Sequence, residues 1–332
     1  MHTLRVLYVS SGIGMGHVSK DLAIARELRR AEPGAEIFWL AGHPASEVLR
    51  DFGETVIPEA ERWHGASAIA EHTMQDGQLN LVRYVYRSLP AWTANMRLFG
   101  SAIRSHAIDV AVGNEAWEVD IPLILRMLRL RVPFVLITDF VGVDAMTSNV
   151  LEHLGAYVLN VIWALDGTVY GRGQHSGIFI GEIEDAPAGP FGWRLPDRRQ
   201  HARDHYRFVG HVINFRTEEV ADRAALRRRL GYGEAPLVVC SAGGTAIGRD
   251  LLELCGRAFL PLRERLPDAR MILVCGPRIP AESLRVGDGI EVREYVPRLY
   301  EHFACSDVAV VQCGASSTTE LCAVGTPFLY FP

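Results

Sequence analysis

Apolar and polar positions along this chain fall into blocks, short β-rich runs followed by longer stretches with helical spacing. In the first half the runs are LRVLYVS, AEIFWLAG, ETVIPE, IDVAVGN and VPFVLITDF. Branched and aromatic residues fill them and turn formers bound them, which predicts buried strands of a parallel sheet. Behind the first run, Val18, Leu22, Ala25 and Leu28 recur at spacings of four, three and three, one apolar helix face that stops before Glu32–Gly34. Around Ile183 to Asp204 the pattern breaks into a stretch rich in proline, glycine and arginine, as a connector would be. HYRFVGHV then reads as one more strand, and the grammar restarts. EEVADRAALRRRLGY predicts a helix ended by Gly231. APLVVCSAGG, ARMILVCG, IEVREYV, DVAVVQCG and TPFLYFP follow as strands separated by helices.

Two successive βα halves predict an α/β protein of two doubly wound, Rossmann-like domains, residues 1–204 with the connector and 205–332. Ligands of such sheets sit at the carboxyl ends of the strands, and a cleft between the domains is the natural site. The 332 residues exceed what one core usually serves. Position 332 comes directly after a strand, so the second domain is expected to be incomplete at its end.

Composition narrows the classes. Hydrophobic residues make up 48% and charged residues 22%, as in soluble globular proteins, and a net charge of −5 gives no electrostatic case for nucleic acid. The start MHTLRVLYVSSG runs straight into a strand without the flanks of a signal peptide. No uncharged run approaches the ~18 residues of a membrane span. All six cysteines lie between Cys240 and Cys322 with no CxxC pair, which suggests buried thiols in a reduced cytoplasm. His201 and His205 have the i, i+4 spacing of metal ligands, but no further ligand cluster lies nearby, and no metal is expected.

Candidate chemistry begins at SSGIGMGH, Ser10 to His17. Gly12, Gly14 and Gly16 make a strand-to-helix turn with bare backbone. Tight packing of helix on strand would also require glycines. A dinucleotide fingerprint fails, because its third glycine would fall on His17 and the strand that should end in a ribose acid ends WLAGHP. A Walker loop fails because Lys20 follows no glycine. At a helix N-terminus the macrodipole disfavours imidazolium, so His17 is expected to be neutral and able to accept a proton.

The second half carries the more specific stretch, VVQCGASSTTELCAVGTPFLYFP from Val310. A strand ends at Cys313, Gly314 breaks it, and Ser316, Ser317, Thr318 and Thr319 open a helix. Hydroxyls and free N–H groups at a helix start suit phosphate, although serine and threonine also serve as ordinary caps. Glu320, one turn in, could accept bonds from a ribose diol.

These segments together resemble the GT-B glycosyltransferases of the group holding the peptidoglycan N-acetylglucosaminyltransferase and plant monogalactosyldiacylglycerol synthase. GIGMGH looks like that group's N-terminal loop, CSAGGTAIG its donor-diphosphate loop, and EYVPRLYEHFACSDVAVVQCGASSTTELCAVGTPFLYFP its nucleotide-sugar signature. The resemblance is patchy over the first 200 residues and close over the last 40. It implies an inverting transfer of a hexose or N-acetylhexosamine from a UDP-sugar to an acceptor hydroxyl. It also implies donor contacts from Gly14, Gly16, Gly243, Gly244, Thr245, Gly314, Ser316, Ser317 and Thr318. The Val296 backbone would read uracil and Glu320 would hold the ribose. The group continues past the position of Pro332 with a loop that contacts the donor sugar.

For catalysis, His17, or Glu115 or Asp139 after their strands, is expected to take the acceptor proton, with no metal, since no DxD motif appears. No cofactor is needed beyond the UDP-sugar. A UDP-N-acetylglucosamine 2-epimerase and a shortened, non-catalytic nucleotide-sugar binder are the alternatives. Between Asp76 and Asp109 there is no acid, while Arg83, Arg87, Arg97 and Arg104 alternate with Tyr84, Tyr86, Trp92 and Phe99. Such a surface could meet anionic lipid at the inner membrane face or an apolar acceptor, and a helix pair with its aromatics turned inward explains it as well.

Overall fold

The structure, a computed structural model, describes residues 3–10, 16–75, 78–79, 81–170, 173–244, 248–312 and 314–331. Contacts divide the chain into two compact units, Met1–Ile13 with Asp21–Val212, and Gly14–Lys20 with Ile213–Pro332.

The first unit runs β1 Arg5–Ser10, α1 Gly16–Ala31 from Asp21 onward, β2 Glu36–Ala41, α2 Ala45–Asp51, β3 Thr55–Val56, α3 Ala66–Thr73, β4 Met74–Gln75 and β5 Gln78–Leu79. It continues through α4 Leu81–Ser105, β6 Val110–Asn114, α5 Trp117–Ile124, β7 Phe134–Thr138, α6 Val150–Ala164, α7 Gly167–Tyr170, β8 Ser176–Phe179, α8 Arg198–His205 and β9 Tyr206–Phe208. Seven strands form one sheet in the order β3-β2-β1-β6-β7-β8-β9, every neighbouring pair parallel. β1 is an interior strand of it, and Val6, Leu7, Tyr8 and Val9 are all buried, as a strand covered on both faces requires.

The five predicted strands of this half form, and two things differ from expectation. β8, in the glycine-containing run SGIF, carries too little alternation to be read as a strand and gains its place by pairing with β7. β9 joins the first sheet through β8, so the change of sheet falls after Phe208 rather than before His205. α4 covers the acid-free stretch and turns Tyr84 and Phe99 inward while leaving Tyr86 exposed.

The second unit holds α9 Arg223–Leu230, β10 Leu237–Ser241, α10 Arg249–Arg265, β11 Arg270–Val274, β12 Glu291–Arg293, α11 Leu299–Cys305, β13 Val308–Gln312, α12 Ala315–Val324 and β14 Phe328–Phe331. Its parallel sheet has the order β12-β11-β10-β13-β14. Gly231 closes α9 in the left-handed conformation, as read from the sequence. Cys240, Cys255, Cys275 and Cys305 are free and buried, and Cys322 is free and exposed. No helix among the described residues is long and apolar enough to cross a membrane.

Candidate donor and acceptor sites

In the second unit two helices begin where strands β10 and β13 end. After β10, Gly243 turns with φ +74° and its N–H donates to Ser241 Oγ over 3.3 Å. Gly276, just beyond β11, backs this turn. Its φ is +76°, and a Cβ there would lie 2.0 Å from the Gly243 carbonyl oxygen, so only glycine lets the two loops meet. Gly248 caps α10 without a side-chain bond, and a Cβ on it would meet Ala242 Cβ at 2.5 Å. Thr245 lies outside the described residues, as do Gly12, Gly14 and Cys313.

At the other start, Gly314 caps α12 with no side-chain bond, which leaves the first-turn N–H groups uncapped. The Thr318 hydroxyl donates to the carbonyls of Gly314 and Ala315, and Thr319 donates to Ala315. Those two hydroxyls are spent on their own helix. Among the described residues nothing bonds the hydroxyls of Ser316 and Ser317. Gly16, which groups with this unit, lies so close that a Cβ on it would sit 2.3 Å from Ser316 Oγ. In the same unit, Asn214 donates an amide hydrogen to Ser19 Oγ.

Glu320 is half-buried at the sixth residue of α12 and has no hydrogen bond or ion pair among the described residues. Burial alone pushes its carboxyl up to about 7. Val296 is buried between β12 and α11 and packs into the unit's core. Gly243, Gly244, Gly314, Ser316, Ser317 and Glu320 therefore all stand at the carboxyl ends of β10 and β13.

The first unit collects the acids Glu115 and Asp139 at the ends of β6 and β7. Glu115 is buried with φ +49°, a left-handed backbone rare for glutamate, and its N–H donates to the Ile137 carbonyl. Asp139 is half-buried, and the preceding Thr138 hydroxyl donates to the Phe140 carbonyl over 2.9 Å. His17 stands half-buried in the first turn of α1. Asp21 escaped sequence reasoning. It lies buried on the α1 face and accepts hydrogen bonds from Tyr8 Oη at 2.8 Å, Ser10 Oγ at 2.5 Å and Asn114 Nδ2 at 2.7 Å. Its signal was an acid between Val18 and Ala25, opposite polar residues at alternate positions of an otherwise apolar strand. His201 pairs with Asp166 over 2.6 Å, and the described residues include no group of three or more acid, histidine or cysteine side chains able to hold a metal ion.

Two parallel sheets with loops gathered at their carboxyl ends define the class, a doubly wound α/β protein. No protein-family model matches the chain. It is 25% identical to the UDP-N-acetylglucosamine–N-acetylmuramyl-(pentapeptide) pyrophosphoryl-undecaprenol N-acetylglucosamine transferase of Moorella thermoacetica, over 99% of this chain and 79% of that one. The enzyme of the same name from Symbiobacterium thermophilum is 23% identical over 99% and 76%. Among solved structures, the glycosyltransferase SnogD from Streptomyces nogalater superposes with a TM-score of 0.58 at 14% identity, covering 98% of this chain and 80% of that one. A putative UDP-N-acetylglucosamine 2-epimerase from Listeria monocytogenes gives 0.52 at 10% identity over 99% and 79%, so the fold is shared by both reaction types. The chain is thus similar, over nearly its whole length, to these two N-acetylglucosamine transferases, and it shares its fold with solved glycosyltransferases.

Proposed function

We propose that the protein moves a hexose or N-acetylhexosamine from a UDP-sugar to an acceptor hydroxyl, with inversion and without a metal. The second unit holds the donor. Glu320 accepts the ribose hydroxyls, the uncapped starts of α10 and α12 receive the diphosphate, and the Val296 backbone reads the base. Ser316 and Ser317 offer hydroxyls to the phosphates. As the acceptor oxygen attacks the anomeric carbon, the bond from that carbon to the diphosphate breaks and negative charge builds on the leaving UDP. Preorganised N–H groups stabilise such charge without reorganising. The acceptor proton passes to His17, Glu115 or Asp139.

The observation that supports this reading most is Glu320. A carboxylate left half-buried and without a partner among the described residues is costly unless a ligand supplies its hydrogen bonds, and a diol supplies two. Saturation-transfer NMR with UDP, UDP-N-acetylglucosamine, UDP-glucose, UDP-galactose and NAD tests it. UDP is expected to bind to the wild type and to weaken in Glu320→Ala. Binding of NAD alone would overturn the reading. Binding of UDP-sugars with no donor consumed under any acceptor would leave a nucleotide-sugar binder rather than a transferase. Among the candidate bases, His17→Ala is expected to lose transfer while keeping UDP affinity, and full activity would remove His17 from the role.

A further inference from the structure

The two faces of α6 are both apolar, and only one of them is covered. Glu152, Ala156, Asn160 and Trp163 are buried on its inner side. Leu151, Leu154, Val158, Val161 and Leu165 recur at spacings of three, four, three and four. At ~100° per residue they form one line along the helix, half a turn away from the buried set. Leu151 is 65% exposed, Leu154 58%, Val158 50% and the capping Leu165 45%, and Val161 is half-buried.

This line carries no charge. α6 holds no lysine, arginine or aspartate. Its one carboxylate, Glu152, is turned inward, where it accepts from the Met146 N–H over 2.9 Å and from the Thr147 hydroxyl. The apolar surface extends past the helix. Met146 and Val150 are exposed at its start. Trp193 is exposed beside Tyr157, whose hydroxyl donates to the Trp193 carbonyl over 3.2 Å, and the Arg194 guanidinium stacks 4.4 Å from the Trp193 ring centre. Contiguous exposed apolar surface of this kind marks an interaction face.

The period indicates the occupant. A narrow line at spacings of three and four is the seam of a helix pair, in which each side chain enters a hole between side chains of the facing helix. A lipid surface calls instead for an apolar face bordered by lysine and arginine, and α6 itself has no such border. The seam also complements itself. In an antiparallel pair with a two-fold axis at Val158, Leu151 meets Leu165, Leu154 meets Ile162, and Gly155 meets Val161, a gap opposite a side chain. No like charges face each other in that arrangement.

We infer that the exposed face of α6 is the interface of a two-fold dimer of this chain, with Val158 on the axis. The inference stands on the first unit alone and does not depend on the transferase reading. A helix of 15 residues is about 22 Å long and about 10 Å wide, so α6 supplies only the centre of the contact. Met146, Val150 and Trp193 add the surroundings, with Trp193 the side chain of greatest weight. An interface of this size makes a reversible, micromolar dimer rather than an obligate one.

Sedimentation velocity from about 1 to about 200 μM tests it, and the wild type is expected to pass from one chain to two over that range. Val158→Glu sets two carboxylates face to face on the axis and should weaken pairing by about a hundredfold or more, as should Val158→Lys with two ammonium groups. Mixed in equal amounts, these two variants should pair again, because each charge then meets its opposite. Trp193→Ala should weaken pairing about tenfold. Val158 is exposed, so its variants should keep the fold; thermal unfolding checks this, and if they do not, Trp193→Ala decides. A wild type that stays monomeric, or pairing equal in wild type and Val158→Glu, would overturn the inference. A mixture that fails to pair would overturn the two-fold arrangement about Val158. Monomeric chain that floats with phosphatidylglycerol vesicles, and no longer does so in Val158→Glu, would give the face to lipid instead.

Discussion

Asp21 and Glu320 occupy the same place in two helices: each is the sixth residue after a strand-to-helix turn, one in each unit. Their surroundings differ completely. Asp21 is fully buried and accepts from Tyr8, Ser10 and Asn114, so its carboxyl oxygens are spent on joining α1 to β1 and β6. Glu320 is half-buried, finds no protein donor among the described residues, and is pushed up to about 7. An acid one turn into such a helix is therefore not a ligand site by position. What decides is whether the fold has already supplied its hydrogen bonds.

The largest expected effect separates these two acids. Asp21→Ala strands three buried donors and should cost about 3–5 kcal/mol in urea unfolding, comparable to breaking a buried ionic contact. Glu320→Ala should cost no stability, because the acid it removes has no partner to lose among the described residues, and from pH 7 upward it should gain some, since burial disfavours the charge that it removes. A large stability loss in Glu320→Ala would break the comparison. Affinity should behave the other way: UDP binding falls about tenfold or more in Glu320→Ala, the worth of one to two hydrogen bonds to a charged group. The ribose needs the ionised acceptor, and the free carboxyl titrates near 7. UDP affinity should thus fall about tenfold from pH 8 to pH 6, and Glu320→Gln should flatten that slope.

Gly276 comes next in size and sharpens the contrast on the donor side. Gly276→Ala places a methyl 2.0 Å from the Gly243 carbonyl oxygen, a backbone atom that cannot swing aside. The donor turn must move, and UDP affinity should drop several-fold while uridine affinity, which needs no diphosphate contact, stays within about twofold. In the first unit, a Cβ on Gly42 would lie 2.8 Å from Gly65, so Gly42→Ala should disturb the loop after β2 and leave UDP binding untouched. Equal effects of the two substitutions on UDP would erase the distinction between the units.

The sequence legibly carried the strand runs, the helix end at Gly231 and the hydroxyl-rich start of α12, because each depends on local period or on one backbone conformation. Glu320 was readable from its spacing. Its lack of a partner among the described residues was not, since that depends on which groups the folded chain leaves unpaired around it. Asp21 shows the converse. Tyr8 and Ser10 come from β1 and Asn114 from β6, about a hundred residues on, and β1–β6 pairing brings them to one carboxylate. The packing of Trp117 against Phe140 and Trp163 was hidden for the same reason, since the rings come from α5, the loop after β7 and α6. β8 and β9 likewise owe their sheet to pairing rather than to pattern.

A third acid gives the smallest effect on UDP affinity and sets the limit on reading titration as function. Asp120 in α5 is fully buried, and burial pushes it up to about 8 despite the hydrogen bond from Tyr170 Oη, with Asp166 nearby raising it further. Like Glu320 it is raised by burial, yet it has a partner, and it is a structural group by the criterion above. The folded state holds its proton where the unfolded state has lost it, so between about pH 4 and pH 8 stability should fall as pH rises. Asp120→Asn keeps an oxygen for Tyr170 and cannot ionise, so its advantage over wild type should grow through that window and level off above it. UDP affinity of Asp120→Asn should match wild type at every pH, in contrast to Glu320→Gln. Thermal unfolding in parallel with UDP titration at pH 5, 7 and 9 measures both. A UDP affinity that followed Asp120 would mean that burial alone, and not the missing partner, picks out the working acid.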